Sequence, residues 1–171
     1  MENSSHLVLE LLKTIDKKDK LFLGKNPSLK EITQEMDNFK KYDSNGEING
    51  LRVHLGEIYI LDNKVVGYNS FIVFNNAKPT EYEKKIIDMG NGLNYFYFKK
   101  LYVHPENREK GICSKFVEKN LEIASKLDKH SIIDVNRENY KIINILSKFD
   151  FQEDFDWTNP KGNKMVRFFH D

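Results

Sequence analysis

The stretch that decides the fold is LYVHPENREKGICS, residues 101–114. Its alternating apolar residues predict a strand that ends at His104-Pro105, because proline cannot continue a β-ladder. Gly111 is followed by a long amphipathic pattern, which predicts a helix that begins there. A helix amino terminus offers unpaired N–H groups and the positive end of the helix dipole, and both favour phosphate. Residues 101–114 therefore predict a strand, a loop with two basic residues and a helix start able to bind phosphate.

The rest of the chain supplies the partners of this strand and helix. Ser28 and Glu31 form a capping box at the start of one helix, and Asp62-Asn63-Lys64 is typical of a hairpin turn. Hydrophobic periodicity predicts strands at 57–61, 65–74, 95–103, 130–135, 151–157 and 165–169, and helices at 28–45, 112–127 and 139–148. This order predicts an α/β fold with a mixed, mostly antiparallel central sheet flanked by helices.

Two segments are less regular. Val8, Leu11, Leu12 and Ile15 fit a helical stripe, whereas alternate leucines in residues 7–15 fit a strand. Residues 75–94 are polar and contain proline and glycine, so they predict a long connection of the kind that often shapes a substrate site.

Composition restricts the possible partners. The 171 residues suit one domain, which we expect to span residues 1–171. Lys and Arg number 27 against 26 for Asp and Glu, and this balance gives no long-range field to attract nucleic acid or an anionic membrane. The single cysteine, Cys113, excludes an internal disulfide and a cysteine-based zinc site, and the five histidines lack metal-ligand spacing. Without a signal-peptide core after Met1, the expected compartment is the cytoplasm.

Residues 101–114 match neither common nucleotide-binding loop, since both GxxxxGK[ST] and GxGxxG are missing. They resemble instead the acyl-CoA loop of the GNAT superfamily of N-acetyltransferases, in which a strand L-x-V-x-P precedes [RQ]-x-x-G-x-[GA]. A second motif of that family, Asn followed after seven residues by Tyr and then Gly-Phe, resembles Asn139, Leu146 and Asp150-Phe151. The order of elements from Glu57 to Phe169 agrees as well. By this resemblance, residues 7–15 are expected to form the first strand.

The resemblance implies a role for each matching residue. The backbone of the strand would pair with the pantetheine arm, and the Val103 N–H would stabilise the oxyanion formed from the thioester carbonyl. The loop N–H groups would wrap the pyrophosphate. The implied acyl-CoA-binding residues are Leu101, Tyr102, Val103, Arg108, Glu109, Lys110, Gly111, Ile112, Cys113, Ser114 and Asn139. The implied reaction is direct attack of a primary amine on acetyl-CoA, without a metal.

Two positions depart from the family pattern. Cys113 stands where Gly or Ala is usual, and it either packs as a small residue or lies exposed with a lowered pKa at the helix start. Leu146 stands where many members have a Tyr that protonates the leaving thiolate. A thiol of pKa near 8.5 leaves tolerably without an acid, and Tyr140, Ser114 or water are the other candidate donors.

The sequence also leaves the identity of the general base open. Tyr97 occupies the strand position where some relatives keep a carboxylate, and it is the second candidate catalytic residue beside Val103. The alternatives are a base acting through water from Asp134, His104 or Glu57, or an acceptor amine that arrives already neutral.

We therefore predict an N-acetyltransferase whose amine acceptor, on a small molecule, peptide or protein, the sequence does not identify. We expect a monomer or homodimer, with no nucleic-acid or membrane partner. One rival is a non-catalytic sensor or partner domain that keeps the fold and CoA binding. Another is a nucleic-acid-binding α/β domain in which residues 95–98 form a stacking platform, although the neutral charge argues against it. Lys99 and Lys100 are predicted to lie on a solvated face.

Overall fold

The computed structural model describes residues 2–23, 25–86 and 92–171 of the chain. The helices are α1 (Glu2–Lys13), α2 (Lys17–Leu23), α3 (Leu29–Asn45), α4 (Glu81–Ile86), α5 (Ile112–Lys126) and α6 (Tyr140–Lys148). The strands are β1 (Arg52–Leu61), β2 (Lys64–Phe74), β3 (Phe96–Val103), β4 (Ser131–Asn136), β5 (Gln152–Thr158) and β6 (Lys164–His170). Among the described helices, none is long and apolar enough to cross a membrane.

The strands form one six-stranded sheet in the order β1-β2-β3-β4-β6-β5. Every neighbouring pair is antiparallel except β3 and β4, which run parallel. The predicted α/β fold with a mixed, mostly antiparallel sheet is therefore confirmed. α5 and α6 pack over one face of the sheet, which we call the α5 face. α1 packs on the other, which we call the α1 face, around the rings of Tyr68 and Tyr102.

The parallel pair is short. β3 and β4 are paired only from Phe96 opposite Ser131 to Phe98 opposite Ile133. Beyond those residues the two strands separate toward their carboxyl ends. We call the gap between residues 99–103 of β3 and residues 134–136 of β4 the splay. A strand edge that loses its neighbour presents unpaired N–H and C=O groups, so the splay can accept an extended ligand.

A β-bulge lies where the splay opens. Ser70 of β2 is opposite Lys100 and Phe71 is opposite Phe98, so Lys99 is an extra residue in β3. Before the bulge, Phe98 points to the α5 face. The extra residue allows Lys99 and Lys100 to point successively to the α1 face, where they reach Glu35 and the Lys25 carbonyl.

The predicted first strand is wrong. Residues 2–13 form helix α1, and its side chains Val8, Leu11 and Leu12 are buried against α3 and the sheet. This spacing of three and four residues places them on one helical face. Leu7, which the strand alternation required to be inside, is 44% exposed. The helix therefore buries the stripe of Val8, Leu11 and Leu12 and leaves Leu7 outside.

Other local predictions are confirmed. The capping box of Ser28 and Glu31 begins α3, and Asp62 and Asn63 adopt φ values of 50° and 59° in the β1–β2 turn. Within the predicted long connection 75–94, α4 forms and Ala77 pairs with Leu93. Residues 87–91 of that connection lie outside the described residues.

Candidate active site

The edge of β3 turns two backbone groups toward the splay. The His104 N–H donates to the Val66 carbonyl of β2 at 2.8 Å. Peptide groups alternate in direction along an antiparallel ladder, so the N–H groups of Leu101 and Val103 point away from β2. The Val103 carbonyl, on the same side, accepts a hydrogen bond from Arg108 Nε at 3.0 Å. The Val103 N–H therefore faces the splay, where the predicted oxyanion contact requires it.

The amino terminus of α5 lies open next to this edge. Gly111 has φ of 77°, and a Cβ built on it would meet no atom within 4 Å. The first backbone hydrogen bond of the helix runs from the Lys115 N–H to the Gly111 carbonyl. Among the described residues, the N–H groups of 109–114 make no backbone hydrogen bond, and no side chain caps the helix. This arrangement can bind an anion through backbone donors.

Arg108 does not contribute free charge to that loop. Its Nη2 lies 2.6 Å from Asp19 Oδ2 on α2, and its guanidinium stacks 5.7 Å from the centroid of the Tyr102 ring. Together with the bond to Val103, these contacts fasten the loop to α2 and β3. In the structure the guanidinium of Arg108 is therefore already paired, whereas Lys110 is exposed.

Cys113 packs rather than presenting its sulfur. The side chain is half-buried beside Val103, Ile112 and Phe116. Burial raises the pKa of its thiol to about 12, which opposes the lowering expected from the helix dipole. Of the two interpretations of Cys113, the structure favours the small packing residue.

Tyr97 reaches across the sheet to β4. Its hydroxyl donates to Asp134 Oδ2 at 3.2 Å, and burial raises the pKa of Tyr97 well above its ordinary value. A phenol of this kind stays protonated near neutral pH, so Tyr97 can donate a hydrogen bond but cannot accept a proton as a base.

Both carboxylate oxygens of Asp134 accept hydrogen bonds. Arg167, its direct cross-strand neighbour on β6, donates from Nε at 2.8 Å and Nη2 at 2.6 Å. Trp157 Nε1 donates at 3.3 Å. Arg167 is 3% exposed, and its Nη1 is buried without an acceptor among the described residues. The ion pair joins β4 to β6 beside the splay, and the four donors from Arg167, Trp157 and Tyr97 leave Asp134 without a free lone pair for base chemistry.

The two other candidate bases also have partners. Glu57 bonds to Asn69 and Lys119 on the α5 face, so it lies behind the sheet. His104 Nδ1 accepts from the Glu106 N–H at 3.2 Å in the turn after β3. Neither side chain is aimed unpartnered into the splay.

The second motif is present in the backbone but changed in its chemistry. Asn139 caps α6 by accepting from the Ile142 N–H, so its carboxamide oxygen is already used. Asp150 adopts φ of 61° where the family pattern has Gly. Leu146 is 0% exposed and lies in the core with Phe98 and Val117. The structure therefore brings an apolar side chain, and no proton donor, to the position of the family tyrosine.

The prediction that Lys99 and Lys100 are solvated is wrong. Lys99 forms an ion pair with Glu35 of α3, which also accepts from the Tyr68 hydroxyl. Lys100 is 5% exposed, and its Nζ donates to the Lys25 carbonyl at 3.2 Å. Sequence reasoning missed this polar cluster. One sign was available, because Glu35 lies within the apolar stripe formed by Ile32, Met36 and Phe39.

No protein-family model matches the chain, and no relative was found among curated proteins. Solved structures do match its fold, which is that of the GNAT N-acetyltransferases. An N-acetyltransferase from Staphylococcus aureus Mu50 is 15% identical, with 100% of this chain and 94% of the other covered, at a TM-score of 0.66. A ribosomal-protein-alanine N-acetyltransferase from Brucella melitensis is 14% identical, with 99% and 95% covered, at 0.67. The PaiA N-acetyltransferase from Thermoplasma acidophilum, solved with coenzyme A, is 13% identical, with 97% and 92% covered, at 0.61.

Proposed function

We propose that this protein is an N-acetyltransferase that moves an acetyl group from acetyl-CoA to a primary amine, and that residues 1–171 form its single domain. The observation that carries the proposal is the splay, where the free edge of β3 lies next to the open amino terminus of α5. An acyl-CoA needs both features, because its pantetheine arm carries amide groups and its pyrophosphate carries charge.

Each part of the site has a task in this reaction. The backbone of Leu101 and Val103 pairs with the pantetheine amides as an added strand would. The N–H groups of residues 109–114 bind the pyrophosphate, with Ser114 Oγ as a further donor. Asn139 Nδ2 contacts the pantetheine, since the oxygen of that side chain serves as the helix cap.

The chemical step relies on the Val103 N–H. Bound acetyl-CoA supplies a thioester carbonyl that an amine attacks directly. The Val103 N–H stabilises the negative charge that develops on the carbonyl oxygen, and a preorganised donor of this kind contributes about 10²–10³-fold in rate. Tyr97 remains a protonated hydrogen-bond donor that holds Asp134.

A second candidate function is a CoA-binding domain without catalysis. Leu146 in the core favours it, because the usual proton donor for the thiolate is missing. Calorimetry with acetyl-CoA and CoA, followed by a thiol-release assay over a panel of primary amines, separates the two. Binding with amine-dependent thiol release supports the transferase, and binding with no release from any amine supports the non-catalytic domain. Failure to bind either ligand contradicts both.

A further inference from the structure

The two faces of the splay differ in the side chains that line them. On the α5 face the splay is closed by the core, in which Phe98, Val117 and Leu146 are all buried. On the α1 face the splay is crossed by the seven-residue helix α2, which contacts both β3 and β4. Polar groups line this side. Because the core side chains next to the splay on the α5 face are apolar, a group that takes a proton from an amine in the splay lies on the α1 face.

The carboxylates of Asp134 and Glu35 on the α1 face already accept hydrogen bonds from neighbouring side chains. Asp134 accepts from Arg167, Trp157 and Tyr97. Glu35 accepts from Tyr68 and Lys99. These carboxylates are held by donors that a substrate would have to displace. His54 lies on β1, two strands away from the splay in the sheet order, and its Nδ1 is 3.4 Å from Lys99 Nζ and 3.9 Å from Glu35 Oε1.

Lys100 differs from these groups. It directly precedes Leu101 on the edge of the splay, it is buried, and among the described residues its Nζ has no carboxylate partner. Its Nζ donates to the Lys25 carbonyl, although an ammonium has three protons to donate. Asn26, which follows Lys25 in the chain, has a side-chain oxygen, Oδ1, that is buried and accepts from no donor in the described part of the chain. The surroundings of Lys100 therefore do not complete the hydrogen bonding of a charged ammonium.

We propose that Lys100 is the general base that prepares the acceptor amine, an inference that rests on the proposed acetyl transfer. Neutral Lys100 Nζ takes one proton from the acceptor ammonium, and the free amine attacks the thioester carbon. The new C–N bond forms first and gives a tetrahedral intermediate whose oxyanion accepts from the Val103 N–H, and the C–S bond then breaks. The second N–H proton of the acceptor goes to the departing sulfur, giving CoA thiol, and Lys100 returns its proton to solvent.

The charges around Lys100 agree with this role. Desolvation is the main cause that lowers the pKa of Lys100, to about 8, and the neighbouring charge of Lys99 lowers it further. Glu35 and Glu31 act in the opposite direction but do not cancel the shift. Burial tunes catalytic lysines into this range, where a substantial fraction is neutral and the conjugate acid still releases its proton.

The first test measures the protonation of Lys100 without any acceptor. The protein is labelled with ¹³C at lysine Cε, and its resonances are followed with pH, the Lys100 signal being assigned by its loss in Lys100→Arg. We expect a midpoint of about 8 for Lys100. A midpoint near the ordinary value of about 10.4 would overturn the proposal.

The second test compares two classes of amine. Lys100→Met and Lys100→Arg both lack a neutral amine, and with an alkylamine that is charged at neutral pH we expect kcat/KM to fall about 10²–10⁴-fold. With an arylamine that is already neutral, we expect little change. Lys129→Met is the matched control, because burial also lowers the pKa of Lys129 and its contact is with Asn94, away from the splay.

The outcomes separate this inference from the proposed function. Each variant is first shown by calorimetry to bind acetyl-CoA as the wild type does. Equal losses with both amines, or no loss with either, would refute Lys100 as the base while leaving acetyl transfer intact. A wild type that binds acetyl-CoA but releases thiol with no amine overturns the proposed function and this inference together.

Discussion

The Tyr97 hydroxyl donates to Asp134 Oδ2 at 3.2 Å and so connects β3 to β4 where their backbone pairing stops. Arg167 donates to both oxygens of Asp134, from Nε to Oδ1 and from Nη2 to Oδ2. At the point where the splay begins, β3 and β4 are therefore connected by side-chain hydrogen bonds instead of backbone hydrogen bonds. The two strands can diverge above this point without the sheet losing its continuity.

Asp134→Asn should destabilise the protein strongly. The substitution leaves the guanidinium of Arg167 buried without its counter-charge, and breaking a buried pair from one side typically costs about 3–5 kcal/mol. Urea unfolding measures this loss. The double variant Asp134→Leu with Arg167→Met removes both charges and should recover most of the lost free energy of unfolding. A double variant as unstable as Asp134→Asn would show that packing, not the unpaired charge, is responsible.

Gly111 tests the phosphate-binding loop. Gly111→Ala introduces a side chain at φ of 77°, and Gly162→Ala does so at φ of 82° in the β5–β6 turn. Both should lose about 1–2 kcal/mol of stability from left-handed strain. Weaker acetyl-CoA binding by calorimetry is expected only for Gly111→Ala and, more severely, for Gly111→Glu, which places negative charge before the phosphates. Unchanged affinity in a folded Gly111→Glu protein would contradict the site.

Leu146→Tyr should not supply the missing acid. Leu146 lies in the core with no exposed surface, so the larger ring overpacks it at a cost of about 1–3 kcal/mol. Leu146→Met conserves volume and should cost less than about 1.5 kcal/mol. Denaturant titration and the thiol-release rate are measured together. A stable Leu146→Tyr protein with faster thiol release would mean that the hydroxyl reaches the splay after all.

Cys113 should react slowly with a thiol reagent whether or not acetyl-CoA is present. Packing of the half-buried side chain against apolar neighbours raises the pKa of its thiol to about 12, and the thiolate is the reactive form. Labelling kinetics at neutral pH, compared with the rate in urea-unfolded protein, measure the protection. Rapid labelling of the free folded protein that acetyl-CoA suppresses would place the sulfur in the open loop instead.

Lys100 should make stability depend on alkaline pH. Its folded pKa of about 8 lies below the unfolded value, so between pH 8 and about 10.4 the unfolded chain binds more protons. The free energy of unfolding should therefore rise with pH across this window, by up to about 3 kcal/mol. Lys100→Met should remove the rise, and Lys30→Met at an exposed position should keep it. An identical slope in Lys100→Met would assign the pH dependence to other groups.

The sequence predicted what depends on local chemistry. The proline after His104, the glycine at 111 and the capping box at Ser28 each have one strongly preferred backbone outcome, and each occurs as expected. The loop motif identified the fold because its spacing ties a strand end to a helix start.

What the sequence did not predict depends on contacts between distant residues. The α1 segment satisfied two periodicities, and only its packing against α3 decided between them. The bulge at Lys99 leaves no pattern of its own in the sequence, so the burial of Lys100 could not be anticipated. Arg108 looked available for a ligand because Asp19 lies 89 residues away in the chain.

The β-bulge in β3 gives the adjacent residues Lys99 and Lys100 different partners. With strict alternation, one of them would have pointed into the apolar core on the α5 face. The additional residue places both on the same side, where Lys99 neutralises the buried carboxylate of Glu35. Among the residues that the structure describes, Lys100 has no counter-ion. Deleting either lysine would keep the direction of every later side chain in β3. It would leave one amine to contact both Glu35 and the Lys25 carbonyl. A single inserted residue thus allows the strand to carry a structural cation and a titratable amine side by side.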